Sequence, residues 1–120
     1  MAKICVIEDN IPIRKLFAIL LKKSGYDVSD FGDGSSALDY LKSNIPDVIL
    51  MDILLPDING TELLTSVRGL PGLGNVKVIA ITGFATNNDR EKYLELGFTG
   101  YLPKPINTTT FVSDIQSILS

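Results

Sequence analysis

Short apolar runs punctuate the chain at fairly regular intervals: Ile4 to Ile7, Val28 with Phe31, Val48 to Met51, Val76 to Ile81, and Tyr101 with Leu102. Between them the apolar positions follow a helical period, as in Ile13, Leu16, Phe17, Leu20 and Leu21, or in Phe111, Val112, Ile115, Ile118 and Leu119. A strand pattern alternating with a helix pattern along the whole chain predicts βαβ units. Such units build a parallel sheet covered by helices on both faces, with right-handed connections.

Boundary residues agree with this reading. Asn10 is placed to cap a helix with Pro12 in its first turn, and Ser24-Gly25 to end it. Asp33 opens the second helix, and Pro46 sits just before the third strand. Asn59-Gly60 would signal a hairpin in an alternating context, but Leu63, Leu64 and Val67 follow at helical spacing, so a helix begins there. GLPGLGN, residues 69–75, reads as a flexible connection and lacks the GK[ST] ending of a phosphate-binding loop. The fourth helix, within TNNDREKYLELG, offers only Tyr93, Leu94 and Leu96 to a core. There is no internal repeat, low-complexity tract or linker.

Composition narrows the function. A chain of 120 residues with 45% hydrophobic and 21% charged content suits one domain, residues 1–120, that needs neither disulfides nor a structural metal. A net charge of −3 offers no cationic field for a nucleic-acid backbone or an anionic membrane. No apolar segment approaches the roughly 20 residues of a membrane span, and MAKICVIED lacks the apolar stretch of a secretory signal. The single cysteine, Cys5, lies in an apolar run and is read as a small buried hydrophobe in a reducing, cytoplasmic setting. With no histidine, the commonest general base and transition-metal ligand are missing, which argues against serine or cysteine triads and zinc hydrolysis. Carboxylates, hydroxyls and lysines remain.

In an open parallel sheet, ligands bind beyond the carboxyl ends of the strands. The residues just past the apolar runs are Glu8 and Asp9, then Asp52, then Thr82 with Gly83, then Lys104 with Pro105. Taken singly, each has an ordinary explanation as a cap, a strand residue or a solvated charge. Collected at one edge they do not, because two carboxylates about 4 Å apart repel by roughly 4 kcal/mol at an effective dielectric near 20. Such a cluster calls for a cation or a proton. Hard oxygen ligands favour Mg²⁺, which typically binds one or two carboxylates together with a phosphate, the outline of a phosphoryl-transfer site.

The order ED after the first strand, MDILLPDING at the third, ITG at the fourth and YLPKP at the fifth resembles the receiver domain of two-component response regulators, over essentially the whole chain. The resemblance implies a flavodoxin-like (βα)5 fold with strand order 2-1-3-4-5. It implies that Asp52 is the phosphoacceptor, a carboxylate nucleophile forming an acyl phosphate. Glu8 and Asp9 resemble the acidic pair that holds Mg²⁺, joined by Asp52 and the main-chain carbonyl of Leu54. Lys104 would contact a phosphoryl oxygen, and the Thr82 hydroxyl would move to bond another. Pro105 matches a cis proline and Tyr101 an aromatic that follows the switch hydroxyl. The implied partners are a sensor histidine kinase or histidine phosphotransfer protein and a downstream protein that reads the face of helix four, strand five and helix five, with a phosphorylation-dependent dimer also in scope. The only enzymatic activity implied is catalysis of its own aspartyl phosphorylation and dephosphorylation. A strand so near Met1 and the lack of an output domain favour a free-standing regulator over an excised one.

Two positions bear on signal lifetime. Leu54 and Phe84, each two residues past a site residue, are apolar and bulky where polar side chains could orient water, so slow self-dephosphorylation is expected; Gly83 leaves access open. On the first helix, a 100° projection turns Ile13, Leu16, Phe17 and Leu20 to the core and places Ile19 among Lys15, Lys22 and Lys23, a candidate docking patch for the phosphohistidine partner. Rival readings fare worse. An aspartyl phosphatase would want a second acid at position 54 and a substrate domain, and a flavin carrier would want a Ser, Thr and Gly loop where this chain has EDNIPIR.

Overall fold

The apolar runs become the strands of one sheet in a computed structural model that describes residues 2–83 and 87–119, the side chains of residues 87, 88 and 90 excepted. The strands are β1 (Lys3–Ile7), β2 (Asp27–Phe31), β3 (Val48–Asp52), β4 (Lys77–Thr82) and β5 (Gly100–Pro103). They alternate with α1 (Ile11–Lys23), α2 (Gly34–Leu41), α3 (Gly60–Arg68), α4 (Asn87–Glu95) and α5 (Phe111–Leu119). All strand pairs are parallel and their order is β2-β1-β3-β4-β5, the flavodoxin-like doubly wound arrangement expected. No described helix is long and apolar enough to cross a membrane.

Alternation along each strand divides the core in two. Cys5, Ile7, Ile49, Met51, Val78 and Ala80 point to the side covered by α2, α3 and α4, where Ala37, Leu41, Leu63, Leu64, Val67 and Tyr93 meet them. Ile4, Val6, Val48, Leu50, Ile79 and Ile81 point to the side covered by α1 and α5, where Phe17 and Leu21 join Phe111 and Ile115. There Phe17 and Phe111 stack with ring centroids 4.7 Å apart. Because both faces are covered, β3 is buried at every position, as a central parallel strand requires.

The helix starts follow the local sequence. Asn10 accepts from Ile13 N at 3.0 Å, Asp33 from Ser36 N at 2.7 Å, and Asn59 from Thr61 N at 2.9 Å. Gly25, with φ of 94°, takes the left-handed turn after α1. Asp57 reaches across to accept Gly34 N and Ser35 N, both at 2.9 Å, and these bonds hold its carboxyl below the usual range.

Three expectations need correction. Leu16 is 38% exposed while Ala18 and Leu21 are buried, so the core stripe of α1 is rotated from the projection toward the contact with α5. Leu94 and Leu96 are each 45% exposed and only Tyr93 of the three is buried. A helix with so few apolar residues gives no clear phase from which to read its inner face. The 69–75 connection is tethered rather than loose. Leu73 is fully buried, and Arg68 donates to the Leu73 carbonyl at 3.4 Å, to the Val76 carbonyl, and to the Gly97 carbonyl at 2.9 Å.

Candidate functional site

Strand register assembles the polar residues. Ile7 is level with Met51, so Glu8 and Asp52, the next residues of β1 and β3, emerge side by side. Asp52 pairs with Ile81, which puts Thr82 at the adjacent strand end, and Thr82 pairs with Pro103, which sets Lys104 beside it. Two further bonds fix these ends: Glu8 N to the Phe31 carbonyl at 3.0 Å and Lys104 N to the Thr82 carbonyl at 2.8 Å.

Gly60 lets the β3 end turn tightly into α3. A Cβ there would lie 2.7 Å from Ile53 Cα and 2.9 Å from the Asp52 carbonyl oxygen, both backbone atoms, while Gly60 N donates to the Ile53 carbonyl at 2.7 Å. The first turn of α3 is thereby pressed against the carboxylate-bearing strand end.

Asp9, Asn10, Ile13, Asp52, Ile53, Leu54, Thr82, Gly83 and Lys104 line a crevice of about 410 Å³ at this edge. Lys104 Nζ lies 2.9 Å from Glu8 Oε1 and 3.2 Å from Asp52 Oδ2, and Leu54 N donates to Asp52 Oδ1 at 3.1 Å. Glu8 is fully buried, Asp52 is 3% exposed, and Asp9 is at the open rim. Burial first, then the hydrogen bond with Asp52, push the Glu8 carboxyl up to about 7, against the pull of the Lys104 ammonium. Burial alone would lower Lys104, but the bond to Glu8 and the charges of Asp52 and Glu8 outweigh it and raise the ammonium's pKa.

The residues present suit a hard cation. Ligand oxygens of Glu8, Asp9 and Asp52 lie within 4.8 Å of one another. Glu8 Oε1 is buried with no partner beyond the Lys104 ammonium at 2.9 Å, which leaves it lone-pair capacity for a metal.

Other expected residues are placed as follows. Thr82 is 2% exposed, and its Oγ1 lies 3.0 Å from the hydroxyl of Tyr93 on α4. Tyr101 is half-buried on β5, where it lines a separate hollow with Leu94 and Ser117. The Lys104–Pro105 bond is cis. Leu54 stands at the crevice wall, 60% exposed, whereas Phe84 lies outside the described residues. Ile19 is 61% exposed on α1, and Lys15 and Lys22 are exposed on the same helix. Sequence reasoning missed the bond from Tyr93, which it took for a plain core residue. It also missed Arg14, whose guanidinium donates to the Glu8 carbonyl at 3.1 Å in space that only a glycine at position 32 leaves open. Neither contact has a local signature.

Fold and crevice together define a flavodoxin-like α/β module with an acidic, lysine-bridged pocket at the carboxyl edge of its sheet. The chain belongs to the response regulator receiver domain family, whose model matches residues 4–116, and so to two-component signalling. It is 37% identical over 116 residues to the polar-differentiation response regulator DivK of Brucella anthropi, covering 97% of this chain and 94% of that one. Among solved structures it is similar to the chemotaxis response regulator CheY4 of Vibrio cholerae, at a TM-score of 0.92, 29% identity and 98% of each chain. It is also similar to the receiver domain of a Pseudomonas aeruginosa sensor histidine kinase with a magnesium ion coordinated in the active site cleft, at a TM-score of 0.85, 31% identity and coverage of 99% of this chain and 98% of that one.

Proposed function

We propose that residues 1–120 form one Mg²⁺-dependent phosphoacceptor unit of a cytoplasmic phosphorelay, with Asp52 as the acceptor. The observation that carries this reading is the seat of Lys104 Nζ between buried Glu8 and Asp52 in an open crevice. Two acids and one base held there at the cost of desolvation suit a site built to receive a phosphoryl dianion.

Asp52 Oδ attacks phosphorus of a partner's phosphohistidine. The P–N bond breaks, its electron pair returns to the imidazole, and that ring takes up a proton from solvent. Leu54 N and Lys104 hold the attacking carboxylate in place, through bonds at 3.1 and 3.2 Å. Lys104 turns its charge to an incoming phosphoryl oxygen, and the Thr82 hydroxyl moves to donate to another. Glu8, Asp9, Asp52 and the Leu54 carbonyl would hold magnesium, which when bound supplies the positive charge that lets an anion approach three carboxylates. Leu54 at the wall slows the approach of hydrolytic water, and the apolar Phe84, which lies outside the described residues, is assigned the same role from the sequence.

The partner's phosphohistidine helix is assigned to α1. An apolar groove of about 460 Å³, lined by Ile13, Leu16, Phe17, Lys104, Pro105 and Ile106, shares Ile13 and Lys104 with the crevice. A helix seated there and on Ile19, between Lys15 and Lys22, brings its histidine to Asp52. Output is assigned to the face of α4, β5 and α5, where Tyr101 lies, and phosphorylation of Asp52 favours binding of a downstream protein or a second copy on that face. Incubation with a small phosphodonor and Mg²⁺ should add one phosphoryl group to the wild type by intact mass and none to Asp52→Asn. No gain in either, or an equal gain in both, overturns the reading.

A further inference from the structure

Thr82 lines the crevice, but its hydroxyl is engaged by a residue that does not. Its Oγ1 lies 3.0 Å from the Tyr93 hydroxyl in a buried contact between the end of β4 and α4. Tyr93 is 6% exposed and packs at right angles to Phe98 with ring centroids 5.9 Å apart. Among the described side chains of α4 it is the one that is buried, for Glu91, Lys92, Leu94 and Glu95 are exposed and Asp89 is intermediate. Among the described residues of α4, the one that enters the core is thus an aromatic ring whose polar end is bonded to the residue assigned to contact phosphate.

We infer that Tyr93 is a positioning residue that holds Thr82 in its resting place, and that phosphoryl capture frees α4 by taking the Thr82 hydroxyl away from it. This inference rests on the phosphoacceptor reading of Asp52. A threonine hydroxyl has a single proton to donate. Whichever hydroxyl donates in the resting contact, an anionic phosphoryl oxygen is a stronger acceptor than a neutral phenol, so once phosphate is present the Thr82 proton goes to it and the Thr82 oxygen is drawn toward it. As the Thr82 oxygen moves toward Asp52, the Tyr93 bond is lost and the tie between the end of β4 and α4 through these two hydroxyls goes with it. Tyr93 lies on a different element from Tyr101, so the coupling reaches α4 directly, without passing through β5.

The test is Tyr93→Phe, which keeps the ring and removes the hydroxyl, with fluoroberyllate and Mg²⁺ as the phosphoryl mimic followed by NMR titration. Freed of its resting bond, Thr82 should close on the mimic at lower cost, and the variant should bind it about fivefold more tightly than the wild type. In a Thr82→Ala background the same substitution should change affinity by less than about twofold. Amides of α4 should exchange faster in Tyr93→Phe without ligand, and in the wild type only once the mimic saturates it. A tyrosine with a purely structural role would lower Tm and leave affinity and its dependence on Thr82 unmoved. Unchanged or weaker binding by Tyr93→Phe, or an equal gain in Tyr101→Phe alone, overturns the inference while leaving Asp52 as acceptor. A wild type that binds no mimic overturns both.

Discussion

Burial disfavours the charged form of Glu8, and replacing it by glutamine should stabilise the metal-free chain in a pH-dependent way. Its carboxyl is pushed from an ordinary 4.5 to about 7, first by burial and then by the bond with Asp52. Between those values the unfolded chain has released this proton and the folded chain still holds it. Stability therefore falls as pH rises from about 4.5 to about 7, and the loss is complete above that. At 1.36 kcal/mol per unit the rise amounts to roughly 3 kcal/mol, an upper figure because neighbouring groups relax around the buried carboxylate. Glutamine keeps an oxygen toward Lys104 and carries no charge to desolvate. Urea unfolding in EDTA should show Glu8→Gln matching the wild type near pH 4 and exceeding it by about 2 to 3 kcal/mol at pH 8. Millimolar Mg²⁺ should raise the wild type at pH 8 and do little for the variant, since a ligand that binds only the folded state stabilises it. A difference between the two proteins that stays constant across the pH range would refute the desolvation account, as would a variant less stable than the wild type at pH 8.

Three other outcomes are expected. Gly60→Ala should cost about 1 to 3 kcal/mol in urea unfolding and slow phosphorylation by a small donor, because the new methyl meets the backbone of Ile53 and Asp52; a stability within 0.5 kcal/mol of the wild type would contradict the close-approach argument. Leu54→Asn should shorten the phosphoryl lifetime by offering attacking water a polar partner at the crevice wall, read as decay after donor removal; an unchanged or longer lifetime counts against it. Ile19→Asp should slow transfer from a phosphohistidine partner by roughly tenfold, the worth of one buried apolar contact, and leave phosphorylation by a small donor unchanged. Equal slowing of both would remove α1 from the docking surface.

The central sheet was legible because β1, β3 and β4 are almost wholly buried on both faces, which leaves continuous apolar runs in the sequence. That the polar residues of the candidate site share one sheet edge was legible for the same reason. Where such a run stops on a charge, as at Met51 to Asp52, the strand end is marked to the residue, and parallel register does the rest. Side-chain partners across elements were not legible. The reach of Arg14 to the Glu8 carbonyl depends on the missing side chain of Gly32, and the reach of Arg68 to Gly97 spans 29 residues. Leu94 of α4 and the adjoining Leu96 were misread as core because, among the described residues of that helix, the ring and hydroxyl of Tyr93 rather than an apolar stripe enter the interior.

That mode of attachment sets the two sides of the sheet apart. On one side α1 and α5 are joined through Phe17, Leu21, Phe111 and Ile115, all fully buried, and through the Phe17–Phe111 stack. Moving either helix would expose several large side chains, each worth about 1.5 to 3 kcal/mol. On the other side α4 meets the sheet chiefly through Tyr93 among its described residues, and Arg68 steadies the turn that follows it through the Gly97 carbonyl. A phosphoryl group at Asp52 that draws one hydroxyl away can shift the second arrangement at a cost of about 1 kcal/mol but leaves the first untouched. The proposed geometry thus separates a rigid receiving face, where α1 meets the donor, from a yielding reporting face at α4, with Thr82 as the point where one acts on the other.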